Sequence, residues 1–287
     1  MADISQPVSD PDFARFCEFF YRRTGILFTP AERYFVERRL SARMTETGSR
    51  SFAIYFARLR ADLDREVESL INALTINETY FFREDHQLRC LSTSLMTLVT
   101  AGKVPGDHVR IWSMPCATGE EPYSVAIWLL ENWPDVDNYE IEIVGSDIDT
   151  QAIAAAEAGR YGERALMRLA PDLIRRYFEP EASAFGANWR IIADLRASVR
   201  FTPCNLMDAS AMAAQGRFDI VFCRNVLIYF DDASRRVAAD NLYDSLVPGG
   251  FICLGHTESM SRISPLFRVC RYADAIVYQR PMEGEIV

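Results

Sequence analysis

The sequence predicts an α/β protein in two parts, an N-terminal helical domain followed by a doubly wound, mainly parallel β-sheet. Residues 11–75 carry apolar side chains at three- and four-residue spacings, which is the period of amphipathic helices. From Val109 onward, short apolar runs alternate with helical segments, as in a sheet with helices on both faces. The chain of 287 residues exceeds the usual size of one domain, so one large or two unequal domains are expected.

The first part is predicted to consist of a polar tail at residues 1–11 and a helical domain at residues 12–76. The pattern Thr29-Pro-Ala-Glu32 begins helices, because the threonine hydroxyl and the glutamate carboxylate cap free backbone N–H groups. Residues 77–108 are predicted to be a linker with a connecting helix over residues 84–100.

The second part, residues 109–287, contains six apolar runs that predict strands: Val109 to Met114, Ile141 to Gly145, Val199 to Thr202, Phe218 to Cys223, Gly250 to Gly255 and Ala275 to Gln279. Near Phe267 and Ile276 no helix intervenes, so an antiparallel hairpin is expected at the C-terminal edge of the sheet.

One stretch departs from this alternation. Trp189–Ile192 and Val199–Phe201 follow one another with no helical pattern between them. A small antiparallel β-subdomain, inserted at about residues 179–200, is therefore expected beside the main sheet.

The composition is that of an ordinary soluble protein, with 49% hydrophobic and 25% charged residues. The seven cysteines form no C-x-x-C pair and lie mostly in apolar runs, so they are interpreted as reduced thiols of a cytoplasmic protein. The first residues are polar and no run of 18 apolar residues occurs, which predicts neither a signal peptide nor a membrane-spanning helix. The three histidines show no ligand spacing, so no metal site is expected.

A net charge of -9 argues against nucleic acid as a partner, because neutralising phosphates needs a basic surface. The charge is unevenly distributed, however. Residues 15–60 contain ten arginines against four acidic residues, a local charge of +6. We expect an acidic protein partner to be attracted to that end of the molecule.

The first strand opens into the turn Pro115–Ser124, where an α/β domain holds a nucleotide-like ligand. This turn lacks the G-x-G-x-x-G fingerprint of dinucleotide sites, which favours a nucleoside without a pyrophosphate. S-adenosylmethionine is the commonest such cofactor on this architecture. Glu121 fits two roles, a contact to the methionine end of the ligand or, with Thr118, a helix capping box.

The second strand ends in Gly145-Ser-Asp147-Ile-Asp149. An acidic residue at this place accepts hydrogen bonds from ribose hydroxyls in nucleotide-binding domains, and Asp147 is favoured for that role. The alternative is a helix N-cap, which suits Asp149 better.

After the fourth strand, Asn225 and Tyr229 are placed to line the cleft, although a loop asparagine and a core tyrosine are the structural alternatives. Asn205, after the third strand, is ambiguous in the same way. Before the cofactor turn, the segment Asn77–Glu84 places the cation Arg83 among aromatic residues, and Tyr80, Phe81 and Phe82 of this segment are expected to form a dry wall.

Taken together, four segments resemble the CheR family of chemotaxis-receptor glutamate methyltransferases: Asn77–Arg83, Thr118–Ser124, Gly145–Asp149 and Cys223–Asp231. The resemblance spans roughly residues 12–280, with the motifs in family order. It implies a class I S-adenosylmethionine-dependent methyltransferase fold with an N-terminal helical domain and an inserted β-subdomain. It also implies methyl transfer to receptor glutamates, which yields γ-glutamyl methyl esters and S-adenosylhomocysteine in chemotaxis adaptation or a related chemosensory pathway.

The resemblance also assigns roles to single residues. Cofactor contacts are implied at Asn77, Thr79, Arg83, Glu121, Asp147, Asn205, Leu206, Asn225 and Val226. Arg83 and Tyr229 are the implied catalytic residues, which position the reactive groups.

On the partner side, a basic helix at about residues 31–43 corresponds to one that meets the receptor's acidic, cytoplasmic methylation region. Its implied receptor-binding residues are Arg33, Arg38, Arg39 and Arg43. In some members the β-subdomain also binds a peptide at the receptor's C-terminus. A monomer acting in the cytoplasm is expected.

Two other functions compete with this one. A methyltransferase for nucleic acids is disfavoured by the acidic charge and by the lack of an Asp/Asn-Pro-Pro-aromatic motif after the fourth strand, and one for small molecules leaves the arginine-rich helices without a purpose. A binding module without turnover is disfavoured by the presence of Arg83 and Tyr229.

Overall fold

The computed structural model of the chain describes residues 8–61, 65–181 and 188–285. The described residues begin with four helices, α1 (Asp10–Thr24), α2 (Arg33–Glu46), α3 (Phe52–Ala61) and α4 (Glu66–Leu74). Ser9 caps the start of α1, so this helix begins inside the predicted tail, of which residues 1–7 lie outside the described residues. Thr29 and Glu32 form the predicted capping box just before α2.

The helices pack around aromatic and aliphatic side chains at the predicted spacings. Those at most 1% exposed are Phe16, Phe20, Val36, Leu40, Tyr55, Leu59 and Leu70. Burying these groups is what holds such short helices together, because helices of this length are marginal in water on their own.

A buried ion pair joins α2 to α4 within this core. Arg43 donates from Nε and Nη2 to the two carboxylate oxygens of Glu66, at 3.0 and 2.6 Å. The Tyr55 hydroxyl donates to the same carboxylate at 2.7 Å, and burial, together with Glu66, raises the pKa of Tyr55. The guanidinium of Arg43 is therefore committed to the internal packing of the helical domain.

A connecting helix follows the irregular linker, as predicted. It consists of α5 (Asp85–Cys90), a π-helical turn (Leu91–Leu95) and α6 (Met96–Thr100).

The remaining described residues alternate strands and helices. The strands are β1 (His108–Ser113), β2 (Glu140–Asp147), β3 (Arg160–Gly162), β4 (Phe178–Glu181), β5 (Asn188–Ile191), β6 (Val199–Pro203), β7 (Phe218–Cys223), β8 (Leu246–Leu254), β9 (Arg268–Arg271) and β10 (Ile276–Gln279). The helices are α7 (Glu120–Asn132), α8 (Thr150–Ala158), α9 (Glu163–Leu166), α10 (Pro171–Tyr177), α11 (Ala193–Ser198), α12 (Ala209–Ala214) and α13 (Asp232–Asp244).

Among the described residues, seven strands form the main sheet in the order β6-β2-β1-β7-β8-β10-β9. The strands from β6 to β8 are parallel, and β10 pairs antiparallel with both β8 and β9. This confirms the predicted doubly wound sheet with an antiparallel C-terminal edge. The chain leaves β1 toward β2 on one side and later returns to β7 on the other, so a crevice opens at the carboxyl ends of β1 and β7.

Side chains alternate between the two faces of this sheet, each of which is covered by helices. On β1, Ile111 joins one apolar cluster and Trp112 the other. On β7, Ile220 and Val221 divide in the same way. Both faces are thus dry, as parallel sheets require.

The small antiparallel sheet is present, with strand order β3-β5-β4, but the predicted span of residues 179–200 was wrong. The sheet begins at Arg160, and part of the predicted span, residues 182–187, lies outside the described residues. Helix α11 occupies the stretch where no helix was expected, and β6 belongs to the main sheet, paired with β2. Elements of three to six residues are too short to show a helical or strand period, so the sequence did not distinguish them.

None of the helices in the described ranges has both the length and the apolar character needed to cross a bilayer.

Arg43→Ala is expected to lower the free energy of unfolding by about 3 kcal/mol, because it leaves the Glu66 carboxylate buried without its cation. Arg38→Ala, on the exposed side of the same helix, is the matched control and is expected to change stability little. Urea denaturation followed by circular dichroism measures both variants. Equal stabilities of the two variants would contradict a structural role for Arg43.

Candidate active site

A cleft of about 340 Å³ lies at the carboxyl ends of β1, β2 and β7. It is lined by the loop after α1, the linker, the turn after β1 and the segment after β7. Its volume lies within the range of small-molecule sites, which is roughly 300–1,000 Å³. Both parts of the chain therefore contribute to one cavity.

The turn after β1 places the start of α7 against the cleft. Gly119 has a φ of 93°, and a Cβ atom there would lie 2.8 Å from the Cβ of Ala156 on α8. Only glycine allows this close approach in this backbone conformation. The capping box considered for Thr118 and Glu121 does not form, because the Thr118 hydroxyl instead donates to Glu120.

The carboxylate of Glu121 is held by two neighbours beneath the cleft. Its Oε1 accepts from the Ser113 hydroxyl, and its Oε2 accepts from Nη1 of Arg224, both at 2.8 Å. Arg224, which is 5% exposed, also donates from Nη2 to the carbonyl oxygen of Arg83 at 2.7 Å and lies 3.2 Å from the Glu84 carboxylate. The guanidinium of Arg224 thus joins the start of α7 to the linker.

The pKa values of the two acids facing Arg224 shift in opposite directions. Burial raises the pKa of Glu121, and the attraction of Arg224 offsets this only in part. For Glu84, burial is outweighed by Arg224 and by a 3.0 Å contact with His256, so its pKa is lowered. When Glu84 and Glu121 are both ionised, their carboxylates outnumber the guanidinium of Arg224, so these three groups together carry a net negative charge.

Asp147 lies at the end of β2, as predicted, and lines the cleft. Its carboxylate accepts from the backbone N–H of Ala117 at 2.8 Å and of Asp149 at 2.9 Å. Burial raises its pKa to about 6, since hydrogen bonds from the backbone compensate only part of the lost hydration. Each oxygen keeps a lone pair that can accept from a ligand hydroxyl.

Asp149 is the N-cap of α8, which is the role the sequence favoured for it. Its Oδ1 accepts from the N–H groups of Gln151 and Ala152. Its Oδ2 accepts from the Thr75 hydroxyl and the Asn77 amide, both at 2.7 Å. The same carboxylate therefore fixes the linker to the start of α8, beside the main sheet.

Arg83 and Tyr229 line the cleft from opposite segments. The Nη1 of Arg83 donates to the carbonyl oxygen of Glu78 at 2.7 Å, and its guanidinium carbon lies 5.9 Å from the Tyr80 ring centre. Burial raises the pKa of Tyr229, and the nearby charge of Arg83 acts against this shift. Arg83 and Tyr229 therefore belong to the lining of one cavity.

The expected aromatic wall is only partly present. Tyr80 lines the cleft, but Phe81 points into the core, where its ring meets Tyr161 and Phe178 edge to face. The ring of Phe82 packs against Trp128. A φ of 58° at Phe82 turns the backbone sharply, so consecutive side chains leave in different directions.

Asn225 and Val226 line the cleft because an acidic residue missed in the sequence holds their backbone. Glu258 accepts from four backbone N–H groups, those of Asn225, Val226, Leu227 and Gly255, at 2.8 to 3.1 Å. Asn225 has a φ of 59°, which lets successive N–H groups converge on one carboxylate. Since Glu258 lies four residues beyond β8, at the edge where ligands bind, its position in the chain was a usable signal.

Arg224 was also missed, although it lies inside the segment that carries the resemblance. A charged residue directly after a fully buried strand is the signal that could have identified it.

The structure does not bring Asn205 and Leu206 to the cleft. The amide of Asn205 donates to the carbonyl oxygen of Arg23 at 2.6 Å and accepts from the Met207 N–H. Leu206 is buried in the core, and its carbonyl oxygen accepts from Asn241. Asn205 and Leu206 therefore connect the turn after β6 to the end of α1 and to α13. By contrast, Asn77 and Thr79 are among the cleft-lining residues.

The four arginines predicted to bind the receptor lie on α2, in two different states. Arg33 pairs with Asp10 and Glu37, and Arg43 is held by Glu66. Arg38 and Arg39 are exposed, and Arg39 lies over the Phe35 ring. Arg38 and Arg39 are therefore more accessible than Arg33 and Arg43.

The chemistry of the cleft fits S-adenosylmethionine. Glu121 suits an ammonium group, Asp147 suits a ribose diol, and Ile148 and Val226 offer apolar contact to a base. Arg224 lines the same cleft, and its buried Nε has no hydrogen-bond partner among the described residues.

When only the strands of the main sheet are numbered along the chain, their order in the sheet is 3-2-1-4-5-7-6. This order, together with the acidic cleft, defines an S-adenosylmethionine-dependent methyltransferase. The chain belongs to the CheR methyltransferase family. The family described as "CheR methyltransferase, SAM binding domain" matches residues 77–276, and "CheR methyltransferase, all-alpha domain" matches residues 11–75. The predicted resemblance is thereby confirmed.

Relatives match along nearly the whole chain. The chain is 44% identical to "Chemotaxis protein methyltransferase 2" of Vibrio cholerae over 97% of this chain and 96% of the relative. It is 38% identical to "Chemotaxis protein methyltransferase" of Klebsiella aerogenes over 92% and 89% of the two chains. The protein of that name from Salmonella typhimurium is 34% identical over 89% and 86%.

Asp147→Asn is expected to weaken binding of S-adenosylhomocysteine about tenfold or more at neutral pH, because a charged acceptor is lost. The carboxyl, with its pKa of about 6, is ionised above that pH and protonated below it. Wild-type affinity should therefore fall as the pH is lowered through 6, and this step should be missing in Asp147→Asn.

Calorimetric titrations across this pH range measure both effects. Asp240→Asn, at an exposed position of α13, is the control and should behave as wild type. An unchanged pH profile in Asp147→Asn would assign the titration to another group.

Proposed function

We propose that this chain is a protein-glutamate O-methyltransferase that methylates glutamate side chains of chemoreceptors. One observation carries the proposal: Arg83 and Tyr229 line the same cleft as Glu121 and Asp147. Family membership supports the same conclusion, because the relatives bear the name chemotaxis protein methyltransferase.

The reaction suits a site without a strong base. S-adenosylmethionine, when bound, supplies an electrophilic methyl group on a positively charged sulfur. A glutamate carboxylate is already ionised near neutral pH, with a reference pKa of about 4.3, so no proton has to be removed before attack. The work left to the protein is orientation and the exclusion of water.

The residues of this chain divide that work. Glu121, Asp147, Asn225 and Val226 hold the donor in the inner cleft, with Asn77 and Thr79 closing it from the linker. Arg83, fixed by the Glu78 carbonyl, orients the incoming carboxylate, and Tyr229 limits its approach from the other side. Arg83 must not bind the carboxylate too tightly, because stabilising the ground state alone does not accelerate the reaction.

On the partner side, the exposed Arg38 and Arg39 on α2 would meet the acidic methylation region of a receptor. Arg33 and Arg43, which form ion pairs with Glu37 and Glu66, would stabilise the helix that presents this surface. A cytoplasmic, monomeric enzyme fits this arrangement. The small sheet leaves β3 and β4 as edge strands, where an extended receptor peptide could add a strand.

Arg83→Ala is expected to lower methyl transfer about 100-fold while changing affinity for S-adenosylhomocysteine far less, because Arg83 acts on the second substrate. Transfer of a radiolabelled methyl group to a soluble receptor fragment, followed by release of the label in base, measures the ester. Arg164→Ala is the matched control, since Arg164 is exposed and pairs with Glu78 of the same linker. Wild-type turnover in Arg83→Ala would remove this residue from the mechanism.

The double charge reversal Arg38→Glu and Arg39→Glu is expected to raise the KM for the receptor fragment and to flatten its dependence on salt, since long-range attraction is lost. Affinity for S-adenosylhomocysteine should be unchanged. Kinetics over a series of NaCl concentrations, with calorimetry alongside, test this. Parallel loss of both properties would indicate a folding defect instead of a receptor contact.

A further inference from the structure

The segment after β7 contributes several of the residues that line the cleft, between Arg224 and Tyr229. Part of it, Leu227–Tyr229, is a single 3-10 turn. The first N–H groups of a helical turn have no acceptor inside the turn, and a turn of three residues consists largely of such groups. This segment therefore needs hydrogen-bond acceptors from elsewhere in the chain.

The carboxylate of Glu258 supplies these acceptors. Its Oε2 accepts from the N–H of Asn225 at 2.8 Å. Its Oε1 accepts from the N–H groups of Val226 and Leu227, at 3.1 and 2.8 Å. Hydrogen bonds to an ionised acceptor are roughly twice as strong as those between neutral groups. Glu258 is not among the described residues that line the cleft, so it acts on the cleft through the backbone that it holds.

The backbone conformation of Asn225 fits around this carboxylate. Its φ of 59° is left-handed, which costs free energy unless surrounding contacts impose it. A Cβ atom on Gly255 would lie 2.6 Å from Nδ2 of Asn225 and 2.7 Å from Oε2 of Glu258. The amide and the carboxylate therefore occupy space that only glycine leaves open.

The segment that carries Glu258 is held by other parts of the chain. The carbonyl oxygen of Leu254 accepts from Nε2 of Gln87 on α5 at 2.5 Å. Nδ1 of His256 lies 3.0 Å from the carboxylate of Glu84 in the linker. The carboxylate thus starts from a segment whose attachments do not involve the loop after β7.

We infer that Glu258 is a positioning residue for methyl transfer, whose carboxylate holds Asn225 and Val226 in the arrangement that binds the methyl donor and supports the turn that carries Tyr229. The effect on donor binding rests on the cleft alone. The effect on methyl transfer to a receptor rests on the proposed function.

The first test is Glu258→Gln, which keeps the size of the side chain but removes its charge. One acceptor oxygen becomes an NH2 group that faces backbone N–H groups, so about half of the contacts are lost. The Kd for S-adenosylhomocysteine, measured by calorimetry, is expected to rise about tenfold. The KM for S-adenosylmethionine should rise with it, whereas the KM for a soluble receptor fragment should change less than about twofold.

Glu258→Asp is the conservative variant. It keeps the charge but is one methylene shorter, so its carboxylate reaches fewer of the N–H groups. Its Kd for S-adenosylhomocysteine is expected to lie between those of wild type and Glu258→Gln. Either variant that folds tests the inference, because wild-type affinity in it would contradict a positioning role.

A spectroscopic measurement reports on the contact without any ligand. In deuterated protein labelled with 15N, the amide protons of Asn225, Val226, Leu227 and Gly255 should move upfield in Glu258→Gln, because strong hydrogen bonds shift amide protons downfield. Amide protons of α12, which Glu258 does not contact, should keep their positions.

Asp208→Asn is the matched control. The carboxylate of Asp208 also holds backbone N–H groups, those of Ser210 and Ala211 at 3.0 Å, but it caps α12 and does not line the cleft. Its replacement should lower stability in urea, as the loss of a helix cap does, and leave the Kd for S-adenosylhomocysteine and the kcat at their wild-type values.

The possible failures have different signatures. Displaced amide resonances with a wild-type Kd and kcat in Glu258→Gln would show that the contact is only structural and would overturn the inference. Unchanged resonances would overturn the contact itself. If the wild-type enzyme forms no base-labile ester on a receptor fragment, the proposed function fails, while a tenfold change in Kd would still assign Glu258 to donor binding.

Discussion

The site depends on one buried cation. Arg224 contacts the Glu121 carboxylate on α7, the carbonyl oxygen of Arg83 and the Glu84 carboxylate. A guanidinium suits this task because its donors are fixed in a plane and reach several acceptors at once. Without it, two carboxylates would face each other in a buried space, and the linker would lose one of its attachments to the segment after β1. The positions of Arg83 and Glu121 are therefore set by the same side chain.

The second constraint is the junction between the helical domain and the sheet. Asp149 divides its two oxygens between the start of α8 and the linker, and Tyr21 donates to Asp231 at 3.0 Å. Ile26 and Phe28 thereby line a cleft that the sheet alone would leave open. Helix α2, which carries Arg38 and Arg39, thus belongs to a domain that these contacts join to the sheet.

Much of the fold was predictable because its signals are local. The alternation of apolar runs and helices identified the doubly wound sheet, and the pattern Thr29–Glu32 identified the capping box that precedes α2. Short elements were not predictable, since α11 and β3 contain too few residues to show a period. In the site, motif order led to Asp147, Arg83 and Tyr229, which do line the cleft. Motif order also led to Asn205, whose amide is instead used to hold the end of α1.

The sequence by itself determined the class of fold, the family and the presence of acidic residues at the carboxyl ends of β1 and β2. These could be predicted because periodicity and short motifs are properties of neighbouring residues. Tertiary structure decided which of two plausible roles each polar residue takes. Glu121 is held by Arg224, and Glu258 binds the backbone N–H groups after β7. Both contacts form only in the folded chain. Tertiary structure also decided that Arg43 is internal while Arg38, on the same helix, is exposed, because Arg43 packs against the buried Glu66. The physical reason is that burial and pairing depend on contacts between residues far apart in the chain.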